Sequence, residues 1–277
     1  MEDKLREQLA GIRHVALDMD GTIYLSNTIF PYTIDFLRKL DRLGITYSFL
    51  TNNPSKSLND YLRKLDNMGI PASREKMYTT TVAMIDYIRK NYPEARKLFL
   101  LGTPSMISQF EEAGYISMPD SPESVPDIVV VSFDLTLEYK RLCRAAWWIS
   151  RGLPYLATNP DRVCPTDEQT VLVDCGSICK CLESATGRCP DVTLGKPDPN
   201  MLSGICAQKG LAPDQIAMVG DRIYTDIEMA LRAGAFGVLV LSGETTIETA
   251  KAAPRQPSLI CRNIAEFGDL LEASRRL

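Results

Sequence analysis

The stretch VALDMDGTIYL, residues 15–25, begins as an apolar run and then carries two aspartates, Asp18 and Asp20, on either side of a methionine. A short apolar run is typical of a buried strand, in which an unpaired charge is very costly. The carboxylates therefore indicate where the strand ends. If the chain stays extended through Asp20, both side chains point to the same side, and two adjacent carboxylates require a cation or a shared proton.

Strand-like and helix-like segments alternate on both sides of this stretch. Apolar runs of strand length lie at 14–18, 45–51, 216–221 and 237–243. Helical periodicity ending at a glycine occurs in PYTIDFLRKLDRLG, SKSLNDYLRKLDNMG and RIYTDIEMALRAG. This β-α-β order predicts a parallel sheet with right-handed crossovers, covered on both faces. The fold class is therefore α/β, with a doubly wound, Rossmann-like core.

The middle of the chain predicts a second α/β unit inserted into the first. Its strand candidates are 97–101, 128–133 and 154–158, and its helix candidates are 104–113 and 138–151. We expect residues 1–79 and 184–277 to form the core, and residues 80–183 to form the inserted domain.

Several polar side chains follow the strands of the predicted core. Ligands of open α/β sheets bind beyond the carboxyl ends of the strands, so these side chains are expected to converge. They are Asp18, Asp20, Thr51, Asn52, Asn53 and Asp221, with Lys196 in the loop GKPDP. Each has a plain structural alternative, since strand-end aspartates and asparagines often form turns and a loop lysine is usually solvated. Their combination favours a site in which Mg²⁺ balances the carboxylates.

The motifs DMDGT, TNN, GKP and GDRIYTD, in this order, resemble the four motifs of the haloacid dehalogenase (HAD) superfamily. The segments LTNNPSKS, ATNPD, GKPDPNML, MVGDRIYTDI and LVLSGETT are similar to those of its subfamily IIA, typified by NagD and p-nitrophenyl phosphatases. The resemblance covers nearly the whole chain. The 145 residues from Thr51 to Lys196 leave room, after one β-α unit of about 30, for the family's inserted type-2 cap domain.

The resemblance implies a Mg²⁺-dependent phosphatase of small phosphomonoesters. Asp18 would be the nucleophile, and Asp20 would be the general acid and then the general base. Mg²⁺ would be held by the Asp18 carboxylate, the backbone carbonyl of Asp20 and Asp221. Asp226 would orient Lys196 or a metal-bound water, although an acid in the first turn of a helix is also common for structural reasons.

Phosphate binding is implied for a second set of residues. Thr51 and Lys196 would grip the phosphoryl oxygens, together with backbone N–H groups near Asn52. Gly21 would let the backbone leave the strand clear of the phosphate. Asn53 would support this loop from outside the phosphate contacts.

The cap domain is expected to select the substrate, because the core motifs hold only the phosphoryl group. Candidates for reaching the leaving group are Asn159, Asp161 and Arg162 in the segment TNPDR, and Asp174. The alternative is that this segment is a turn that holds the cap together. Asp20 favours a phosphatase over a dehalogenase, since a halide leaves without a proton and an alkoxide does not.

Composition excludes several other functions. The formal net charge is -4 and no basic tract occurs, so a nucleic-acid partner is not expected. The chain lacks an 18-residue apolar run and an apolar leader, which favours the cytoplasm over a membrane. Four of the eight cysteines, Cys175, Cys179, Cys181 and Cys189, lie close together but lack zinc-ribbon spacing.

Three rival interpretations stay open at this stage. A phosphotransferase or mutase would use the same residues with an alcohol in place of water. A signalling module would keep a long-lived phosphoaspartate. A protein that has lost catalytic activity would bind its ligand without turning it over. The sequence does not distinguish among sugar phosphates, nucleotides, pyridoxal phosphate and p-nitrophenyl phosphate as substrates. A homodimer is compatible with the family.

Overall fold

The computed structural model describes residues 3–52, 58–164 and 169–276, which divide into two compact units. The first unit comprises residues 3–51, 58–78 and 196–276. The second comprises Asn52 and residues 79–164 and 169–195. The expected return to the core at residue 184 therefore differs from this division, because the helix that contains it and the strand that follows belong to the second unit.

The strands of the described residues are, in chain order, β1 (His14–Asp18), β2 (Tyr24–Leu25), β3 (Thr28–Ile29), β4 (Thr46–Thr51), β5 (Met77–Thr79), β6 (Lys97–Leu101), β7 (Ile116–Ser117), β8 (Ile128–Val131), β9 (Tyr155–Ala157), β10 (Val163–Cys164), β11 (Leu172–Val173), β12 (Val192–Thr193), β13 (Ile216–Gly220), β14 (Phe236–Val240) and β15 (Leu259–Cys261). The α-helices are α1 (Asp3–Gly11), α2 (Thr33–Arg42), α3 (Leu58–Asn67), α4 (Thr80–Asn91), α5 (Pro104–Glu112), α6 (Tyr139–Ser150), α7 (Cys175–Thr186), α8 (Asn200–Lys209), α9 (Glu228–Ala233), α10 (Ile247–Ala252) and α11 (Ile264–Arg275).

The first unit is built on a six-stranded sheet with the strand order β15-β14-β13-β1-β4-β5. β1 pairs in parallel with β13 and with β4, in a register that sets Leu17 opposite Val219 and Asp18 opposite Leu50. All five residues of β1 are buried, because helices cover the sheet. The carboxyl ends of three neighbouring strands therefore lie level with Asp18, and the predicted α/β class with a parallel sheet is confirmed.

One predicted helix has a different form. The segment that follows β13 begins as a π-helix, Ile223–Ile227, and becomes α-helical only in α9. The N–H groups of Asp226 and Ile227 both donate to the carbonyl of Arg222, at 3.0 and 3.3 Å. Such wide turns often occur at functional sites, and this one contains Asp226.

The second unit has a five-stranded sheet with the order β12-β9-β8-β6-β7 and a short antiparallel hairpin of β10 and β11. α6 and α7 pack together over this sheet, around Trp148 and Tyr155. β12 pairs with β9, which is why the unit extends beyond α7. Cys175 and Cys179 are buried in its apolar core, and the cysteines of the described residues form no disulfides.

Within the described ranges, each helix is too short or too polar to cross a membrane.

Candidate active site

The strand ends of the first unit bring five polar side chains together. Asp18 is the last residue of β1, and Thr51 is the last residue of β4. Lys196 begins the third segment of the unit, and Asp221 directly follows β13. Asp226 lies in the π-helix beyond it. All five are buried, which is unusual for the four that carry charge and requires compensating partners for them.

Lys196 is the centre of this charge network. Its Nζ contacts Asp18 Oδ1 and lies 2.7 Å from Asp226 Oδ1. Burial works against the charged lysine, but the carboxylates of Asp18 and Asp226 outweigh it and raise the pKa of Lys196 above its usual value. Lys196 is therefore an ammonium ion at physiological pH, fixed between two carboxylates.

Asp226 reaches Lys196 because the π-helix turns its side chain back to the strand end. Its Oδ2 accepts a hydrogen bond from the backbone N–H of Arg222 at 3.1 Å. Burial raises the pKa of Asp226, Lys196 opposes that shift, and repulsion from Asp18 and Asp221 adds to it. A Cβ on Gly220 would stand 2.3 Å from Asp226 Cγ, so only a glycine permits this approach.

Asp221 is clamped by backbone on two sides. Its Oδ2 accepts from the N–H of Glu244 at 2.7 Å, whereas its buried Oδ1 has no hydrogen-bond partner within the described residues. A Cβ on Gly21 would lie 2.5 Å from Oδ2, and one on Gly243 would lie 2.0 Å from it. Burial and repulsion from Asp18 raise the pKa of Asp221. The positive charges of Arg222 and Lys196 oppose this shift, and Oδ1 is left as an acceptor without a hydrogen bond from the described residues.

The carboxylates suit a hard divalent cation. Asp18, Asp221 and Asp226 each place one oxygen within 4.8 Å of the others. Three carboxylates against the single ammonium of Lys196 leave negative charge in excess, and Asp221 Oδ1 supplies an unused ligand atom. Oxygen ligands of this kind are those that Mg²⁺ prefers. The expected ligand set was Asp18, the Asp20 carbonyl and Asp221, and the structure adds the Asp226 carboxylate to the cluster.

Asp20 lies apart from these buried groups. β1 ends at Asp18, and Asp20 forms an isolated β-bridge with Tyr24. Asp18 is buried, whereas Asp20 is exposed. The N–H of Ser26, in the hairpin of β2 and β3, lies 3.5 Å from Asp20 Oδ1. The second oxygen of Asp18 instead faces the hydroxyl of Thr22 at 3.4 Å. The two carboxylates are therefore not a buried pair, and Asp20 is open to solvent or to a ligand.

The loop after β14 belongs to the site, and the sequence-based description assigned it no role. Ser242 Oγ donates to the carbonyl of Gly21 at 2.7 Å. The N–H of Thr245 donates to the Asp221 carbonyl at 3.2 Å, beside the Glu244 contact. These residues lie at the end of the predicted strand 237–243 or just after it, and β14 lies next to β13 in the sheet. Their position at a strand end was the signal that could have identified them.

The remaining expected residues lie in the second unit or outside the described residues. Asn53 lies outside the described residues. Asn52, Asn159, Asp161 and Asp174 are joined by side-chain hydrogen bonds within the second unit. Arg162 has an exposed side chain, and its carbonyl accepts from the N–H of Asp174 at 3.0 Å.

Two family models match the chain. Residues 15–116 match a model described as haloacid dehalogenase-like hydrolase, and residues 193–267 match one described as HAD-hydrolase-like. The two matches contain Asp18, Thr51, Lys196, Asp221 and Asp226.

Individual proteins are similar over nearly the full length. The ribonucleotide monophosphatase NagD of Escherichia coli is 28% identical, over 92% of this chain and 98% of its own. An acid sugar phosphatase of Staphylococcus aureus is 30% identical, over 94% of this chain and 96% of its own. The crystal structure of a 4-nitrophenylphosphatase from Thermotoga maritima superposes with a TM-score of 0.86 at 38% identity, covering 95% of this chain and 98% of that one.

Proposed function

The chain belongs to the haloacid dehalogenase superfamily, in its NagD-like subfamily IIA, and we propose that it is a Mg²⁺-dependent phosphatase that hydrolyses small phosphomonoesters through an aspartyl-phosphate on Asp18. The observation that carries the proposal is the buried cluster of Asp18, Lys196, Asp221 and Asp226 at the strand ends. The named substrates of the relatives differ in their leaving groups and share the phosphomonoester.

Asp18 is the nucleophile of the proposed reaction. One carboxylate oxygen attacks phosphorus, and the bond from phosphorus to the leaving oxygen breaks in line with it. Lys196 supports this step because its ammonium holds the Asp18 carboxylate and offsets the charge of an approaching phosphate. Thr51 and backbone N–H groups near Asn52 bind the phosphoryl oxygens, and Gly21 turns the chain away from them.

Asp20 moves the proton in both halves of the reaction. As an acid it protonates the leaving oxygen, and as a base it then takes a proton from the water that attacks the aspartyl-phosphate. This second step breaks the bond between phosphorus and Asp18 and releases inorganic phosphate. The exposed position of Asp20 suits a group that must meet first a leaving group and then water.

The metal would be held by Asp18, Asp221, the backbone carbonyl of Asp20 and, on the geometry described above, Asp226. When bound, Mg²⁺ supplies positive charge that offsets repulsion between a carboxylate and a phosphate. The backbone N–H of Glu244 would help to position the metal, because it holds the Asp221 carboxylate in place. The orphaned Oδ1 of Asp221 is the atom that supports this assignment most directly.

The substitution Asp18→Asn tests the proposal. It keeps the size of the side chain and removes the nucleophile, so phosphate release from a panel of phosphomonoesters should fall to background, with or without Mg²⁺. Asp35→Asn, at an exposed position on α2, is the matched control and should keep wild-type turnover. Circular dichroism and thermal melting check that both variants fold. Turnover by folded Asp18→Asn, or a wild-type phosphoaspartate that does not hydrolyse, would contradict the assignment.

A further inference from the structure

A network of buried and partly buried polar side chains surrounds Asn159 in the second unit. Asp161 Oδ2 accepts from Asn52 Nδ2 and from Asn159 Nδ2, each at 3.1 Å. Asn159 Nδ2 also donates to Asp174 Oδ1 at 3.0 Å, and Asn159 Oδ1 accepts from Thr158 Oγ1 at 2.9 Å. Because carboxylates only accept, the amide of Asn159 must present its two hydrogens to them. Fully buried and with both hydrogens used, Asn159 has none to donate to a substrate.

The network is anchored to the first turn of α7. Asp174 is the N-cap residue of this helix, and its Oδ1 accepts from the N–H of Cys175 at 2.6 Å. The N–H of Gly176 donates to the carbonyl of Asp161 at 2.7 Å. A Cβ on Gly176 would stand 2.3 Å from the carbonyl oxygen of Pro160, so the loop is packed against the helix backbone. Helix and loop therefore form one rigid support.

Two of the connections of the chain to the first unit adjoin this support. Asn52 directly follows Thr51, and Gly195 directly precedes Lys196. Gly195 has a φ of +83°, and a Cβ on it would lie 3.1 Å from Asn159 Cα and 3.2 Å from Asn52 Oδ1. The residue of the second unit that follows Thr51 and the one that precedes Lys196 therefore both lie close to Asn159.

We propose that Asn52, Asn159, Asp161 and Asp174 form a linker latch, whose function is to position the backbone on either side of it for phosphate binding. In this proposal Asn159 and Asp161 are positioning residues and do not contact the substrate's leaving group. The proposal rests on the proposed function, which assigns phosphate binding to Thr51, Lys196 and the backbone near Asn52.

The chemistry of the latch explains why an amide stands at its centre. Asp161 and Asp174 are carboxylates that would repel each other if they faced directly, and Asn159 separates them with one hydrogen for each. Burial raises the pKa of Asp174 to about 6, the bonds from Asn159 and the N–H of Cys175 oppose this, and Asp161 adds to it. Removing the Asn159 amide therefore removes one hydrogen bond from each of the two acids.

The test uses Asn159→Ala, Asp161→Ala, Asn52→Ala and the double variant of the last two, with Asp161→Asn as the conservative replacement. Asn91→Ala, at an exposed position at the end of α4, is the matched control. Arg162→Ala represents a substrate contact. Each variant is assayed for kcat/KM on p-nitrophenyl phosphate, a sugar phosphate and a nucleoside monophosphate, and for inhibition by inorganic phosphate.

Loss of positioning should lower kcat/KM by about 10- to 100-fold for Asn159→Ala and Asp161→Ala, by the same factor on every substrate, because the phosphoryl group is common to all. Inhibition by inorganic phosphate should weaken in parallel. The effects of Asn52→Ala and Asp161→Ala should add less than fully in the double variant, since both remove the hydrogen bond between these two side chains. Asp161→Asn keeps an acceptor oxygen and should restore most of the activity, whereas Arg162→Ala should affect the substrates unequally.

Hydrogen exchange separates the latch from the catalytic assignment. In the latch variants, the backbone amides of peptides that contain residues 51–52 and 194–196 should exchange faster than in the wild type. In Asn91→Ala they should not. This measurement does not depend on whether the wild type hydrolyses phosphomonoesters. Substrate-dependent losses for Asn159→Ala, or additive effects of Asn52→Ala and Asp161→Ala, would overturn the latch. If Asn159→Ala does not fold, the cycle between the partly exposed Asn52 and Asp161 decides the question.

Discussion

Replacing Gly243 by alanine should weaken metal binding without disturbing the fold. A Cβ at this position would stand 2.0 Å from Asp221 Oδ2, which is far inside ordinary contact. To reach a contact distance of about 3.4 Å, the carboxylate must move by about 1.4 Å and give up its 2.7 Å bond from the Glu244 N–H. A misplacement of about 1 Å in an active site can cost about 100-fold in rate.

The assay is a Mg²⁺ titration of phosphate release, together with the shift in Tm that saturating Mg²⁺ produces. The Mg²⁺ concentration for half-maximal activity should rise about 10- to 100-fold in Gly243→Ala, and the shift in Tm should shrink. Gly11→Ala is the matched control, since a Cβ there would meet nothing within 4 Å. An unchanged Mg²⁺ requirement in folded Gly243→Ala would refute the reasoning that the glycine fixes Asp221 as a ligand.

Two further predictions concern His14 and Asp20. Burial, with Lys209 nearby, lowers the pKa of His14 from 6.5 to about 4. Below pH 6.5 the unfolded chain therefore binds a proton at His14, whereas the folded chain binds it only near pH 4, so the wild type loses stability as the pH falls. Between pH 7 and 4.5, the unfolding free energy of His14→Asn, measured by urea titration, should fall by about 2 kcal/mol less than that of the wild type. Equal losses in the two proteins would contradict this. Asp20→Asn should lower kcat/KM about 100-fold or more on alkyl phosphates. The loss should be smaller on p-nitrophenyl phosphate, because its leaving group is a weak base and depends less on protonation. Equal losses on both substrates would argue against Asp20 as the general acid.

The convergence of Asp18, Thr51 and Asp221 could be predicted because it depends on local pattern and one topological rule. Each lies at or just after the end of an apolar run, and parallel strands collect their carboxyl ends at one edge of the sheet. The β1 register then sets Asp18 level with Leu50, one residue before Thr51. No contact between distant side chains had to be known, so these residues were accessible from periodicity alone.

The position of Asp226 was not accessible in this way. Helical periodicity predicts an ordinary first turn, in which an acid favours the helix N-terminus. The wide turn at Ile223–Ile227 depends on how the segment packs above β13, where Gly220 leaves room for the carboxylate. The contact of Glu244 with Asp221 has the same origin, since it depends on a neighbouring strand and not on residues adjacent in sequence.

Asn159 shows why burial changes the meaning of a motif. In sequence, an Asn-Pro-Asp segment after a strand is compatible with a turn or with a ligand contact, because both use the same polar atoms. The two differ in whether those atoms are already satisfied, and the amide of Asn159 is satisfied by two carboxylates and a hydroxyl. An asparagine that keeps two acids apart acts on the reaction only through the backbone it holds. Its substitution should therefore change the rate by the same factor for every leaving group.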